Sequence, residues 1–356
     1  MFPSIRVMGV ETTERRPGRR PTMREVAAVA GMSLSTVSRV VNGGEGVRVD
    51  LVVRVHDAVA LLGYRHNLTA STLRRADRQS ASIGLIFEDV SNPFFGVVHR
   101  GVEDAARERG VLTLVGSSDE EPDRERELAA AFSSRGVDGM IVATATEDCS
   151  YLLRDRAAGV ALAFVDRPPK FIDADTVVSD NAGGAEAAVA HLIAAGHRRI
   201  GFLGDRPEVH TAAERLRGYR ETLAQHGLSE DLDLVRHPRF RGVDAYETTC
   251  ALLSGSNPPT ALFASQNLIS AGVVRAVHAL GLQHEIAMVS FDDILLADVL
   301  DPGLTVVAQD PLKLGRTAAE LVFSRLDGYD GPTRHVVVPT QLIERGSGEL
   351  PPRGGG

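Results

Sequence analysis

The chain has 356 residues, 43% of them apolar, and a formal net charge of −8. That length allows two or three domains with sizeable cores, and no apolar run reaches the roughly 18–20 residues of a membrane span. The opening MFPSIRVMGVETTERRPGRR lacks an apolar secretory core and a small-residue cleavage site, and Cys149 and Cys250 fit no disulfide or metal pattern, so a cytoplasmic location is expected.

Charge is unevenly spread. Residues 1–79 hold 13 Arg against 7 Asp and Glu, whereas the remainder is acidic. This suits a small nucleic-acid module fused to another body; chance plus the basic run RRPGRR is the plainer alternative. Residues 1–20 read as a disordered basic tail. Three short helical patterns follow. In MREVAAVAG, Val26, Val29 and Ala30 share a face, Thr22 and Glu25 form a capping box, and Gly31 ends the helix. In SLSTVSRVVN, Ser33 is the expected cap and Val37, Val40 and Val41 point inward. Leu34, Ser35, Ser38 and Arg39 are left on the outer face. The third pattern runs from about Asp50 to Leu62 with Val52, Val55, Val59 and Leu62 inward and Gly63 as its stop. Only AGMS separates the first two helices, a spacing that suits a helix-turn-helix whose second helix enters the major groove. There, hydroxyls meet phosphates, and Arg39 reaches guanine O6 and N7. A three-helix structural domain with a well-capped middle helix would show the same periodicity.

TMREVAAVAGMSLSTVSRVVNG, followed by LGYRHNLTASTL, closely resembles the DNA-binding headpiece of the LacI/GalR family of bacterial repressors. The resemblance implies DNA contacts from Thr22, Ser33, Leu34, Ser35, Thr36, Ser38, Arg39, Asn42 and Tyr64. It also implies a hinge helix within residues 67–79, in which Asn67, Ala70 and Leu73 enter the minor groove. An apolar wedge at Leu73 would pry open a flexible base step; a leucine seating the linker on the body is the alternative.

Beyond Ser82, β-rich runs alternate with helical stretches: SIGLIF, VLTLVG, GMIVA, ALAFVD, RRIGFLG, PTALFA, AMVSF and LTVVA. Repeated βαβ units imply parallel sheets covered on both faces, and two such halves imply a cleft at their strand C-termini. The family resemblance continues through DVSNPFF, VVSDNAGGAEAAVAHLIAAGHRRIGFLG, ERLRGY and SFDDILLADVLDPGLTVVAQDPLKLG. It implies an α/β two-lobed core of the periplasmic-binding-protein type behind an all-α headpiece. The expected boundaries are 21–66 for the DNA-binding domain and 80–348 for the effector-binding and dimerisation core. One lobe would hold about 80–178 and 309–335, the other 179–308 and 336–348, with 349–356 a disordered tail.

The resemblance carries the effector contacts to Phe94, Phe95, Asp166, Arg215, Gln266 and Asp292. Aromatic rings would cover an apolar ligand face, while Arg215 and Asp292 would bind hydroxyls or ring heteroatoms. Four of them have a plainer reading: Phe94 or Phe95 as a core phenylalanine, Arg215 as a surface partner for Glu214, and Asp166 as a turn cap ahead of Arg167–Pro168. This sequence departs from many relatives in carrying Gln266–Asn267 where they have Asn–Asp, and Ser290 where they have glycine. No phosphate loop or nucleophile elbow occurs, and His191 and His197 are wrongly spaced for a metal pair.

These features imply a ligand-controlled transcriptional repressor. It would bind a pseudo-palindromic double-stranded operator as a homodimer, without cofactor or catalytic activity, and sense a sugar or related metabolite. A transport solute-binding protein fits the body but not the headpiece; an α/β enzyme lacks a catalytic set.

Overall fold

A computed structural model describes residues 21–41, 44, 46–64, 80–238 and 242–353. The chain divides into two compact units at about residue 78.

The first unit is built from α1 (Met23–Ala30), α2 (Leu34–Val41) and α3 (Val49–Leu62). The Thr22 hydroxyl accepts from the Glu25 amide while the Glu25 carboxylate accepts from the Thr22 amide, which closes the capping box. Gly31 and Gly63 end α1 and α3 in the left-handed conformation that only glycine adopts without strain. At the start of α2 the Ser33 Oγ accepts from the Thr36 amide at 3.1 Å, as expected of an N-cap. Val26, Ala27, Ala30, Val37, Val40, Val55 and Ala58 make the core. Val29, expected inward, is 47% exposed, and Ala27 takes its place. On an eight-residue helix a stripe at i, i+1, i+4 is as helical as one at i, i+3, i+4, and alanine hid the choice.

The second unit contains two sheets. The first lobe is formed by β1 (Ser82–Phe87), α4 (Pro93–Glu108), β2 (Leu112–Ser117), α5 (Pro122–Ser134), β3 (Gly139–Val142), α6 (Leu153–Ala157), β4 (Ala161–Val165) and β5 (Asp175–Ser179). The second is formed by α7 (Asn181–Ala194), β6 (Ile200–Leu203), α8 (His210–Gln225), β7 (Val235–Arg236), α9 (Gly242–Leu253), β8 (Ala261–Ala264), α10 (Asn267–Ala279), β9 (Ala287–Phe291) and β10 (Thr305–Ala308). The chain then returns to the first lobe through α11 (Pro311–Leu326) and β11 (His335–Val338), and ends in the second with β12 (Gln341–Ile343). Strand order is β11-β5-β4-β3-β1-β2 in one sheet and β12-β10-β9-β8-β6-β7 in the other. All pairings are parallel except β10 with β12. Strands β3, β4, β6, β8 and β9 are buried along their whole length, as parallel strands covered on both faces must be.

Three expectations are corrected. The chain crosses into the second lobe after Val338 rather than near Val336, because His335–Val338 pairs along β5. The segment DTVVS, absent from the strand-forming runs named from the sequence, is strand β5. Residues 349–353 are not a loose tail. The Glu349 carboxylate accepts from Thr305 Oγ1 and the Gly346 amide, Leu350 packs on the second lobe's core, and its carbonyl accepts from His197 Nε2 at 2.8 Å. His191 bonds Glu349 as well, so both histidines anchor the chain end.

Helices α4 and α11 touch backbone to backbone. A Cβ on Gly315 would lie 2.0 Å from the Val98 carbonyl oxygen, and one on Gly101 2.2 Å from that of Leu312. Gly315→Val is expected to lower the unfolding free energy by at least about 3 kcal/mol, at the upper end of overpacking costs because the obstructing atoms are backbone. Urea denaturation monitored by circular dichroism measures this.

Candidate functional site

The DNA-facing candidates lie at the start of α2. Ser33, Leu34, Ser35 and Arg39 are exposed, and Thr36 and Ser38 half-buried. The Ser33 hydroxyl lies 2.8 Å from both Ser35 Oγ and Thr36 Oγ1, so these groups brace one another as well as the cap. Leu34, 40% exposed, is an apolar side chain at the leading end of this helix. Thr22 and Tyr64 are half-buried, and Tyr64 leans on the headpiece core. Asn42, Asn67, Ala70 and Leu73 lie outside the described residues.

The six effector candidates come from five places in the second unit and line one cavity between the lobes. Asp166 directly follows β4 in the first lobe, and Asp292 directly follows β9, the strand in the equivalent position of the second. Both adopt left-handed backbone, φ 68° and 73°. Both donate their amide to the neighbouring strand, Asp166 to Val177 at 3.0 Å and Asp292 to Val307 at 2.9 Å. Aspartate tolerates this region better than most residues, and such strained positions cluster at functional sites. The repeated geometry turns one carboxylate from each lobe into the cleft.

Arg215, on α8, is buried. Its Nε donates to Asn181 Oδ1 at 2.8 Å, its Nη1 to the Ser265 carbonyl at 2.7 Å, and its guanidinium stacks 3.8 Å from the Phe291 ring centre. It is no surface partner of Glu214, which pairs with Arg217 instead. Burial pulls the Arg215 pKa down, opposed by Asp292 and Asp166. Burial pushes the Asp166 carboxyl above its ordinary range against the pull of Arg167 and Arg215. The Asp292 carboxylate accepts from Gln309 Nε2 and from the Asn267 amide. Gln266 caps α10, its oxygen accepting from Leu268 and Ile269 at 3.0 and 3.1 Å. Phe94 is half-buried at the cleft. Phe95 belongs to the first lobe's core, stacked on Phe87 at 5.3 Å, so only part of it faces the cavity.

Asn267, noted in the sequence only as part of the Gln266–Asn267 departure, also lines the cavity, as do Asn92, Arg167, Ser265 and Gln309, which the sequence did not suggest, together with Glu88, Asp205, Val209, Thr211 and Ala212. Arg167 had a signal in its place beside Asp166, but was read as part of a turn. It donates to Glu88 at 2.9 Å, Glu120 at 2.7 Å and the Thr144 carbonyl at 3.2 Å. Buried polar atoms without a hydrogen-bond partner collect here: Arg167 Nε, which lies 3.7 Å from an Asp166 carboxylate oxygen, Ser265 Oγ and Gln309 Oε1. Such atoms are costly unless something satisfies them, and a hydroxylated ligand can donate or accept at each. Ser290, the departure noted above, is buried behind the site, its hydroxyl donating to Ser270 Oγ at 2.6 Å. Among the described residues no helix is long and apolar enough to cross a membrane.

Comparison with known proteins agrees with both units. Residues 22–67 match the model of bacterial regulatory proteins, lacI family, and residues 189–348 that of a periplasmic binding protein-like domain. The HTH-type transcriptional regulator PtxS of Pseudomonas aeruginosa is 33% identical over 334 residues, 92% of this chain and 96% of that one. The ribose operon repressor of Escherichia coli K12 is 30% identical, over 92% and 99%. The solved structure of a transcriptional regulator CelR–cellobiose complex superposes with a TM-score of 0.68 at 29% identity, over 92% of this chain and all of that one. The similarity runs along nearly the full length of this chain and of these regulators, and the chain belongs to the lacI family of bacterial regulatory proteins.

Proposed function

We propose that the protein is a cytoplasmic transcriptional repressor, without catalytic activity, that binds a pseudo-palindromic operator as a homodimer. A small, polyhydroxylated and largely uncharged molecule in the interlobe cleft controls its affinity for DNA. The observation that carries this reading is the cleft itself: carboxylates of both lobes, the two buried arginines Arg167 and Arg215, and three polar atoms without a hydrogen-bond partner around half an aromatic wall. Carboxylates accept from vicinal hydroxyls, Arg215 donates to ring or hydroxyl oxygens, and Phe94 covers an apolar face. The ribose and cellobiose in the relatives' names are in keeping with a sugar. Two copies would set two α2 helices in successive major grooves, with residues 67–79 between them. Operator and effector affinities would be linked reciprocally, typically by about 1–3 kcal/mol.

The test is a thermal-shift panel of monosaccharides, disaccharides, polyols, sugar acids, nucleosides and purines. A binder at one hundred times its Kd adds about 2.7 kcal/mol of stability. Neutral sugars or polyols should raise Tm; stabilisation confined to sugar acids or purines would contradict the ligand class. On the DNA side, Arg39→Ala is expected to cost about 1–3 kcal/mol at one base position of a selected operator and to relax preference there. Unchanged preference in a binding-site selection would remove Arg39 from base reading.

A further inference from the structure

The cavity between the lobes measures about 40 Å3. It is bounded by both lobes, and two ties made by the chain's own residues cross the cleft.

The inner tie joins two buried amides. Asn267, at the start of α10 in the second lobe, donates from Nδ2 to Asn92 Oδ1, in the first, at 2.7 Å. The orientation follows from the surrounding donors. Asn92 Oδ1 also accepts from the Phe94 amide at 3.1 Å, and Asn267 Oδ1 accepts from the Leu268 amide at 2.8 Å. Each oxygen therefore faces a backbone N–H, and only the Asn267 amide is left to donate across the cleft. A carboxylate at position 267 could not do this. It would set an acceptor against Asn92 Oδ1, and turning Asn92 over to donate would uncap α4.

The outer tie is ionic. Arg206, in the loop after β6 of the second lobe, pairs with Glu120, in the loop after β2 of the first. Glu120 is held in turn by Arg167, which is also paired with Glu88. Asp119 and Glu120 are consecutive non-glycine residues with left-handed backbone, φ 53° and 60°. That uncommon turn brings Glu120 to both Arg167 and Arg206 across the mouth of the cleft.

We infer that Asn267 and Arg206 are closure residues: their two ties hold the lobes together across the cleft, and opening the cleft breaks both. Arg167 belongs to the outer tie and to the cavity lining alike, which makes it the group through which a bound ligand senses closure. The inference rests on the two-lobed fold and stands apart from the operator and the identity of the effector.

Hydrogen–deuterium exchange of the full-length, ligand-free protein tests it. Peptides covering residues 89–96 and 264–270 face the cleft; those covering β1 and β6 report on the two cores. Asn267→Asp and Arg206→Ala should each speed exchange in the cleft peptides. The double variant should do so by at least about tenfold, with β1 and β6 unchanged. Glu120→Gln, a change at the cleft mouth that leaves the amide tie intact, should reproduce the effect of Arg206→Ala. Cleft peptides that exchange alike in wild type and double variant would overturn the inference. So would acceleration spread equally over β1 and β6, which would mark these residues as supports of the fold rather than of closure.

Discussion

Asp175→Ala is expected to destabilise the core by about 3 kcal/mol. Asp175 begins β5, and its side chain is fully buried. Arg325 of α11 grips it with Nε at 2.8 Å and Nη2 at 3.0 Å; Arg334, just before β11, adds Nη2 at 2.7 Å and its backbone amide at 2.7 Å. Strand β5 is thereby joined, at one edge of the first lobe, to the end of α11 and the start of β11, 150 and 159 residues further along the chain. The estimate sits at the lower end for a broken buried pair because the arginines, 21% and 30% exposed, can take up water once the carboxylate is gone. Burial alone would raise the Asp175 pKa, but the hydrogen bonds from Arg325 and Arg334 outweigh it and hold the carboxyl well below the usual range. A depressed folded-state pKa gives stability that is complete above the unfolded value of about 3.9 and fades as pH falls toward the folded one. The wild type should therefore lose stability below about pH 4 more steeply than Asp175→Ala. Parallel slopes in urea melts between pH 5 and pH 3 would show that the pair is not acting as described.

Arg215→Ala is expected to abolish ligand-induced stabilisation, weakening the panel's best sugar by about a hundredfold or more. Truncating one partner of a buried charged pair typically costs about 2–5 kcal/mol, and here Asp166 and Asp292 would face each other without the cation between them. Arg215→Lys keeps the charge but loses the fork that reaches Asn181 and the Ser265 carbonyl, so it should recover only part of the affinity. Calorimetry of all three proteins with that sugar decides the matter. Wild-type affinity in Arg215→Ala would place the ligand elsewhere.

Local features were the legible ones. The Thr22–Glu25 capping box, the Ser33 cap and the glycine stops depend on residues three or four apart, and eight strand-forming runs showed their apolar character directly. Short strands were not legible: DTVVS and HVVVPTQLI look like loop until their partners in the sheet are known. The cleft residues came from family resemblance, and periodicity offered no independent sign of them. Asn92, Arg167 and Gln309 escaped because their bonds span distances that spacing does not register, as Asn92 and Asn267 do across 175 positions. The chain end was misread on composition; Glu349 is a charged residue that finds Thr305 and His191 only in the folded state.

The most direct measurement is operator binding by the full chain, read as fluorescence anisotropy on a site obtained by selection, with and without the sugar that stabilises it. A pseudo-palindromic site is expected whose affinity changes at least about tenfold on adding that sugar to the wild type, and not at all in Arg215→Ala. An affinity that ignores the sugar in the wild type, or responds equally in Arg215→Ala, would contradict control of DNA binding from this cleft.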